Sequence, residues 1–322
     1  TGATGFVGAA GVRALIKAGV DVRVLCRRDS DVSNLQSLTV DYAYGDLRDH
    51  VSLRHALTGC QQLYHVAAHY ALWAKDPAIF YNVNVEGTKN LLEAARETGT
   101  ERIVYCSTIG AIGLPPTGGP GTEDTPVSLS QMAGHYKRSK YLAEQEVLRM
   151  AKEGLPVVIV NPSAPVGEGD VKPTPTGQMI VDFMKGRMPA YIETGMNIVD
   201  VDDVAEGHLL AMKKGRIGER YILGCKNLLL REVFEILSKL TGIKAPSIKL
   251  PRSAVLPLAY ANHWLANLTG RPPRIPLEGV KMAKYKMHYD CSKAIRELGI
   301  PQAPPEVALG KAVNWFKSHG YA

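Results

Sequence analysis

The chain has 322 residues, 45% of them hydrophobic and 21% charged, enough for one large α/β unit or two modest domains with a true core. No apolar run approaches the roughly 20 residues of a membrane-spanning helix and no secretory signal is legible; a cytoplasmic protein without stable membrane insertion is expected, with peripheral contact left open. The formal charge of +7 comes in short groups such as Arg27-Arg28 and Lys213-Lys214, not in the stripe a nucleic acid needs, so it points to anionic small molecules.

Short apolar runs alternate with helical patterns through the first half. Strands are expected at 20–26, 40–45, 62–67, 102–107 and 156–161, rich in Val, Ile and Tyr,. Helices are expected at 6–18, 51–57, 78–97 and 136–152, several closed by glycine,. This alternation predicts an α/β fold of Rossmann type, a doubly wound parallel sheet with a smaller C-terminal substrate domain. Prolines thicken after Pro162, so residues 163–195 read as a loop-rich excursion. A late strand at 197–201 is expected to return to the main sheet, followed by a helix at 204–213. Residues 1–162 and 196–215 are thus assigned to the dinucleotide-binding domain, and 163–195 and 216–322 to the substrate domain. The apolar stretch 254–268, with Tyr260 and Trp264, reads as a small-domain helix or subunit contact before a lipid-facing one.

The opening Thr1-Gly2-Ala3-Thr4-Gly5-Phe6-Val7-Gly8 spaces its glycines for a phosphate-binding turn. The first permits a tight turn, the second lets a pyrophosphate approach the backbone, and the third lets the next helix pack closely. The helix start adds free N–H groups for the phosphates. A strand normally precedes such a turn, and the expectation is that it lies upstream of Thr1. At the end of the second strand Cys26 fills the usual acidic place and Arg27 follows. A guanidinium there suits a 2′-phosphate, so NADP(H) is favoured with NAD(H) possible. Asp46, beside Leu47, is placed to hold the adenine amino group.

Tyr136 and Lys140 stand four apart at the head of a helix, on one face,. A nearby ammonium is expected to lower the phenol's pKa from its ordinary value near 10, fitting it for acid–base work. Ser107 and Thr108 end the fifth apparent strand, at the sheet edge where ligands bind. Five scattered cysteines and the spacing of His65, His69 and His135 give no disulfide framework and no metal site,.

These residues resemble the extended short-chain dehydrogenase/reductases, the NAD-dependent epimerase/dehydratase family, over essentially the whole chain. The glycine turn, His65-Val66-Ala67-Ala68, Asn84-Val85-Glu86-Gly87-Thr88, Val199–Ala205 and Leu298-Gly299 carry the likeness. The resemblance implies Thr108 as catalytic hydroxyl with Ser107 beside it, and Tyr136 and Lys140 as the acid–base pair. It implies cofactor contacts from Ala67, Ala68, Asn84, Pro162 and Ser163. Asn161-Pro162 stands where many members have Arg-Pro, which leaves position 161 without an assigned role. Within the family the chain is most similar to hopanoid-associated sugar epimerases, then to dihydroflavonol 4-reductase-like enzymes, through 172–177 and 186–191. Thr174, Thr176, Met179, Phe183, Arg187 and Tyr191 are therefore substrate candidates, with Trp264 a further one if the substrate is lipid-like. A homodimer through the helices at 78–97 and 136–152 is also implied.

The expected reaction is epimerisation of a sugar by reversible hydride transfer; the alternative is NADPH-dependent reduction of a ketone or aldehyde. Ile109-Gly110 after Thr108 replaces the acidic pair of the dehydratases and argues against dehydration. A non-catalytic NADP-binding regulator is the reading from another class, opposed by the retained Tyr136 and Lys140.

Overall fold

The computed structural model describes residues 1–322. The first half runs α1 (Phe6–Lys17), β1 (Arg23–Cys26), β2 (Asp41–Tyr44), α2 (His50–Leu57), β3 (Gln62–His65), α3 (Ala78–Tyr81), α4 (Gly87–Glu97), β4 (Arg102–Cys106), α5 (Gly134–Lys152) and β5 (Val157–Pro162). There follow β6 (Ala164–Val166), α6 (Pro175–Met184), β7 (Ala190–Tyr191), β8 (Gly195–Asp200), α7 (Val201–Lys214), β9 (Arg220–Leu223) and β10 (Lys226–Leu229). The chain ends with α8 (Leu230–Thr241), β11 (Ile248–Lys249), α9 (Arg252–Thr269), α10 (Leu277–Met282), α11 (Ser292–Leu298) and α12 (Pro305–Ser318).

β3, β4, β5 and β9 form a parallel sheet in that order, and β1 and β2 a parallel pair. The middle strands are buried on both faces, which is why Ile103-Val104-Tyr105 and Val157–Val160 read as unbroken apolar runs,. Leu53, Leu91, Leu92, Ala143 and Val147 cover one face from α2, α4 and α5. Val204, Ala211, Met212, Ala294 and Leu298 cover the other from α7 and α11. Thr1 lies against β3, its amino group donating to the Tyr64 carbonyl at 2.8 Å, while Ala3 packs on Val24 of β1. The glycine turn therefore sits between the two strand groups, at their carboxyl ends.

A second core joins β6, β8 and β10 to α6, α8 and α12 through Ile180, Phe183, Phe234, Leu237, Ala312 and Phe316. Two strands sit elsewhere than their patterns suggest. The segment expected to rejoin the main sheet forms β8, between β6 and β10 of the smaller sheet. The main sheet's last strand is instead β9, from the stretch expected to belong wholly to the smaller domain, and α11 packs beside it. Both are short buried runs, and such a run does not name its neighbour. For β8 the side chain of Asn197 decides, bonding to Asn227 and the Cys225 amide.

Between α3 and α4 one helical run carries a π-type turn at Asn82–Glu86. The inserted turn brings Asn84 inward, where it is 1% exposed; such bulges mark functional positions.

Candidate active site

Gly2 has φ +75°, and a side chain there would meet the Ala67 amide. A Cβ on Gly8 would overlap the Gly2 carbonyl oxygen, so the start of α1 closes onto the turn only without one,. A Cβ on Gly5 would touch only the Gly2 oxygen at 3.4 Å, so its open side faces the cavity. Gly5 donates to Gly2 at 3.0 Å and then caps α1 in extended geometry. This cradle, with the helix N-terminus beside it, fits the pyrophosphate of a dinucleotide.

A cavity of about 960 Å³ runs from the turn across the carboxyl ends of the strands to the small domain. Gly2, Thr4, Gly5, Phe6, Val7 and Gly8 line it, as do Leu47, Ala67, Ala68, Pro162 and Ser163. The buried Ser163 hydroxyl has no partner in the fold, as suits a group kept for a ligand,. At the end near β1 and β2 stand Arg27 and Asp46 together with Arg48, which sequence reasoning missed. Arg48 grips both carboxylate oxygens of Asp46, at 2.8 and 2.7 Å, and holds that carboxyl down at about 2. The Asp46 carboxylate is thus engaged by Arg48 rather than free for an adenine amino group. Arg27 is exposed and leans on Asp29 at 3.3 Å. Each guanidinium at this end is thus paired with a carboxylate, Arg27 with Asp29 and Arg48 with Asp46.

At the other end β4 delivers Ser107 and Thr108, and the first turns of α5 deliver Tyr136 and Lys140, all four to the cavity wall. Thr108 accepts from the Gly110 amide at 3.0 Å, which fixes its side chain. Tyr136 packs against Tyr70 with tilted rings, centres 4.7 Å apart. Lys140 is buried and donates to the Tyr105 hydroxyl at 2.9 Å and the Cys106 carbonyl at 2.8 Å. Burial lowers its pKa to about 8. The Tyr136 phenol, however, departs from expectation. Burial, with Tyr70 and Cys106 close by, drives it well above 10, opposed only by hydrogen bonding to Thr108. The Lys140 ammonium is engaged by Tyr105 and Cys106, and burial keeps the phenol protonated at neutral pH.

Position 161 now has a role. Asn161 is fully buried and donates to the Thr108 carbonyl at 3.0 Å and to Glu144 Oε2 at 2.7 Å. Arg220 of β9 reaches the other Glu144 oxygen at 3.3 Å. An Asn–Glu–Arg chain therefore pins the loop carrying Thr108, and its members lie too far apart in sequence for spacing to show it. Asn84 does not line the cavity; it accepts from the His69 amide and donates to the Ser139 hydroxyl of α5.

On the small-domain side Thr174, Thr176 and Met179 reach the cavity. Thr174 Oγ1 also caps α6 through the Gly177 amide. Phe183 is instead stacked on Phe234 in the second core, and Tyr191 packs edge-on against that same ring. Arg187 is exposed outside the lining, and Trp264 is 66% exposed on the outer face of α9. Lining residues that sequence reasoning missed are Tyr70, Lys137, Met196, Met282 and Met287. Lys137 meets only the Met287 sulfur, at 3.8 Å, and burial lowers it to about 8. His65 is tied to Thr88 and Thr1, and His135 to Tyr81. No three His, Cys, Asp or Glu side chains gather in metal-binding geometry, and no helix is long and apolar enough to cross a membrane.

Residues 1–224 match the family described as NAD dependent epimerase/dehydratase. The chain belongs to that family. Over 325 residues it is 47% identical to a Synechocystis protein named as a dihydroflavonol 4-reductase, covering 100% of this chain and 94% of the relative. It is 38% identical over 322 residues to sterol demethylase protein B of Methylococcus capsulatus, covering 99% and 98%. A crystal structure described as a nucleoside-diphosphate-sugar epimerase from Pseudomonas aeruginosa superposes with a TM-score of 0.82 at 28% identity, covering 99% and 97%. The chain is an extended short-chain dehydrogenase/reductase, an NAD(P)-dependent epimerase or reductase on a Rossmann-type parallel α/β sheet.

Proposed function

We propose that this family member is an NADP(H)-linked reductase of an apolar ketone or aldehyde, the second of the two activities its sequence suggests. The observation that carries this is the wall facing Tyr136. Four of the chain's nine methionines, Met179, Met196, Met282 and Met287, line the cavity, and apart from catalytic Lys140 its only cations outside the adenosine end are Lys137 and Lys172. A nucleotide-sugar diphosphate calls for a concentrated cationic clamp, whereas flexible thioethers mould to an irregular hydrocarbon surface. The relatives named as a dihydroflavonol 4-reductase and sterol demethylase protein B support the same direction.

The dinucleotide, when bound, supplies the hydride. Gly2–Gly8 would hold its pyrophosphate, Arg27 and Arg48 the phosphorylated nucleoside, and Ser163 the nicotinamide end. In the proposed reaction the Thr108 hydroxyl and the Tyr136 phenol bind the carbonyl oxygen, and the protonated phenol donates as negative charge develops there. Lys140 fixes the Cys106 carbonyl just before that hydroxyl strand end, and with a pKa of about 8 it can exchange protons near neutrality.

Epimerisation of a hopanoid-associated sugar is the second reading, favoured by Thr174, Thr176 and Asn197, whose polar groups reach the same cavity. Incubation of the protein with NADPH and a panel of hydrophobic and sugar carbonyls separates the two. Loss of the reduced-nicotinamide absorbance, one equivalent per carbonyl reduced, is expected. Inversion of a sugar carbinol without net consumption would overturn the reductase reading in favour of the epimerase.

A further inference from the structure

α9 is apolar on its packed side and on its unpartnered side alike. Val255 and Ala259 pack against Leu277 and Val280 of α10. Round the other side, at helical spacing, come Leu258, Ala261, Trp264, Leu265 and Leu268, with no charged residue after Arg252. Leu258, Trp264, Leu265 and Leu268 are 58%, 66%, 52% and 65% exposed. The concentration is regional: eight of the chain's eighteen exposed large apolar side chains fall between residues 248 and 285. Contiguous exposure of this kind marks a contact surface.

The charge beside it selects the partner. Between residues 244 and 286 stand eight lysines and arginines and one carboxylate, Glu278. That surplus of seven equals the formal charge of the whole chain, so the remainder is balanced. The positive surplus thus falls in the segment that includes and flanks α9. Lys244, Lys249, Arg271, Arg274, Lys284 and Lys286 are all exposed there. A second copy of the chain would bring the same seven positive charges against these, which disfavours a self-contact through this face. Apolar residues with tryptophan, rimmed by cations, match the boundary of a bilayer bearing acidic headgroups.

α9 itself stands next to the cavity wall. α10, which α9 packs on, contributes Glu278, Gly279 and Met282 to the lining. The indole of Trp73, next to lining residue Leu72, donates to Asn267 of α9 at 3.0 Å. We propose that α9 seats the protein peripherally on an anionic lipid surface, bringing the cavity mouth to the bilayer from which an apolar substrate would enter. The docking itself does not depend on the reductase reading, since it rests on the outer surface alone.

The full chain should co-sediment with vesicles of phosphatidylcholine containing phosphatidylglycerol, and at least tenfold less with phosphatidylcholine alone. Trp264→Glu combined with Leu268→Glu should lower binding to the anionic vesicles at least tenfold. Its circular dichroism and its NADPH turnover of a short water-soluble carbonyl should match the wild type, because both side chains are exposed and outside the cavity. Failure of the wild type to bind anionic vesicles, or equal binding by the double variant, would overturn the proposal. So would a sedimentation-velocity result in which the double substitution dissociates a dimer while leaving vesicle binding intact. A variant that loses vesicle binding yet keeps soluble turnover supports docking even if the carbonyl consumed proves to be a sugar.

Discussion

The two walls of the cavity are built on opposite plans. The sheet wall places polar groups and ties its central ones down: Thr108 by Gly110 and Asn161, and Lys140 by Tyr105 and Cys106. The small-domain wall carries four methionines, Met179, Met196, Met282 and Met287, and the Met287 sulfur meets Lys137 of α5 across the cavity. Rigid, hydrogen-bonded atoms suit chemistry that is the same for every substrate, and soft side chains suit the part of the ligand that varies between relatives. The contrast predicts that sheet-wall substitutions change rate and stability, while small-domain substitutions change only which substrate is taken.

The largest expected effect is that of Tyr136→Phe, which should lower kcat by roughly 10²- to 10⁴-fold with dinucleotide affinity by fluorescence titration unchanged. Full turnover in this variant would mean that the proton comes from another group. Next comes Lys140. Its folded-state pKa of about 8 lies below the ordinary value near 10.5, so the ionised form burdens the fold below pH 8, and the burden is relieved as pH rises from 8 to 10.5,. The stability of Lys140→Met relative to wild type should therefore fall by on the order of 3 kcal/mol between pH 7 and pH 10.5. A pH-independent difference in denaturant titrations would contradict that placement.

Asn161→Ala leaves Glu144 and the Thr108 carbonyl short of a buried donor, for a cost of roughly 1–3 kcal/mol. Its melting temperature should drop by roughly 5 °C, with kcat reduced more than KM is raised; an unchanged melt would show that the Asn–Glu–Arg chain does not hold the loop. Arg27→Ala should weaken NADP⁺ about tenfold and leave NAD⁺ nearly untouched, and equal losses would remove the case for the phosphorylated nucleoside. Smallest is Met179→Ala, expected to lower kcat/KM for a bulky apolar carbonyl by a few-fold, to roughly tenfold, without moving the melting temperature. If it proves as damaging as Asn161→Ala, the two walls are not the distinct devices described here.

Much of the sheet wall was legible because its signals are local. Glycine spacing encodes a turn that tolerates no Cβ at Gly2 or Gly8, and the Tyr136–Lys140 interval follows from the helical repeat. The strand end at Ser107-Thr108 also follows from a short apolar run closed by hydroxyls. The small-domain wall was read less well. Phe183 and Tyr191 look from sequence as exposed to ligand as Met179, yet both serve the second core. Met196, Met282 and Met287 come from three separate segments that nothing in the chain order connects.

By itself, then, the amino-acid order determined the repeating α/β plan, the phosphate turn, the Tyr/Lys pair and the cation at the end of β1. Each of these depends on residues within a few positions of one another. Only the folded chain decided that β9 rather than β8 closes the main sheet, that Asn161, Glu144 and Arg220 act together, and that burial keeps Tyr136 protonated. It also decided that one side of α9 is left bare. These outcomes depend on hydrogen-bond partners and desolvation set by segments tens of residues apart, which no local pattern records.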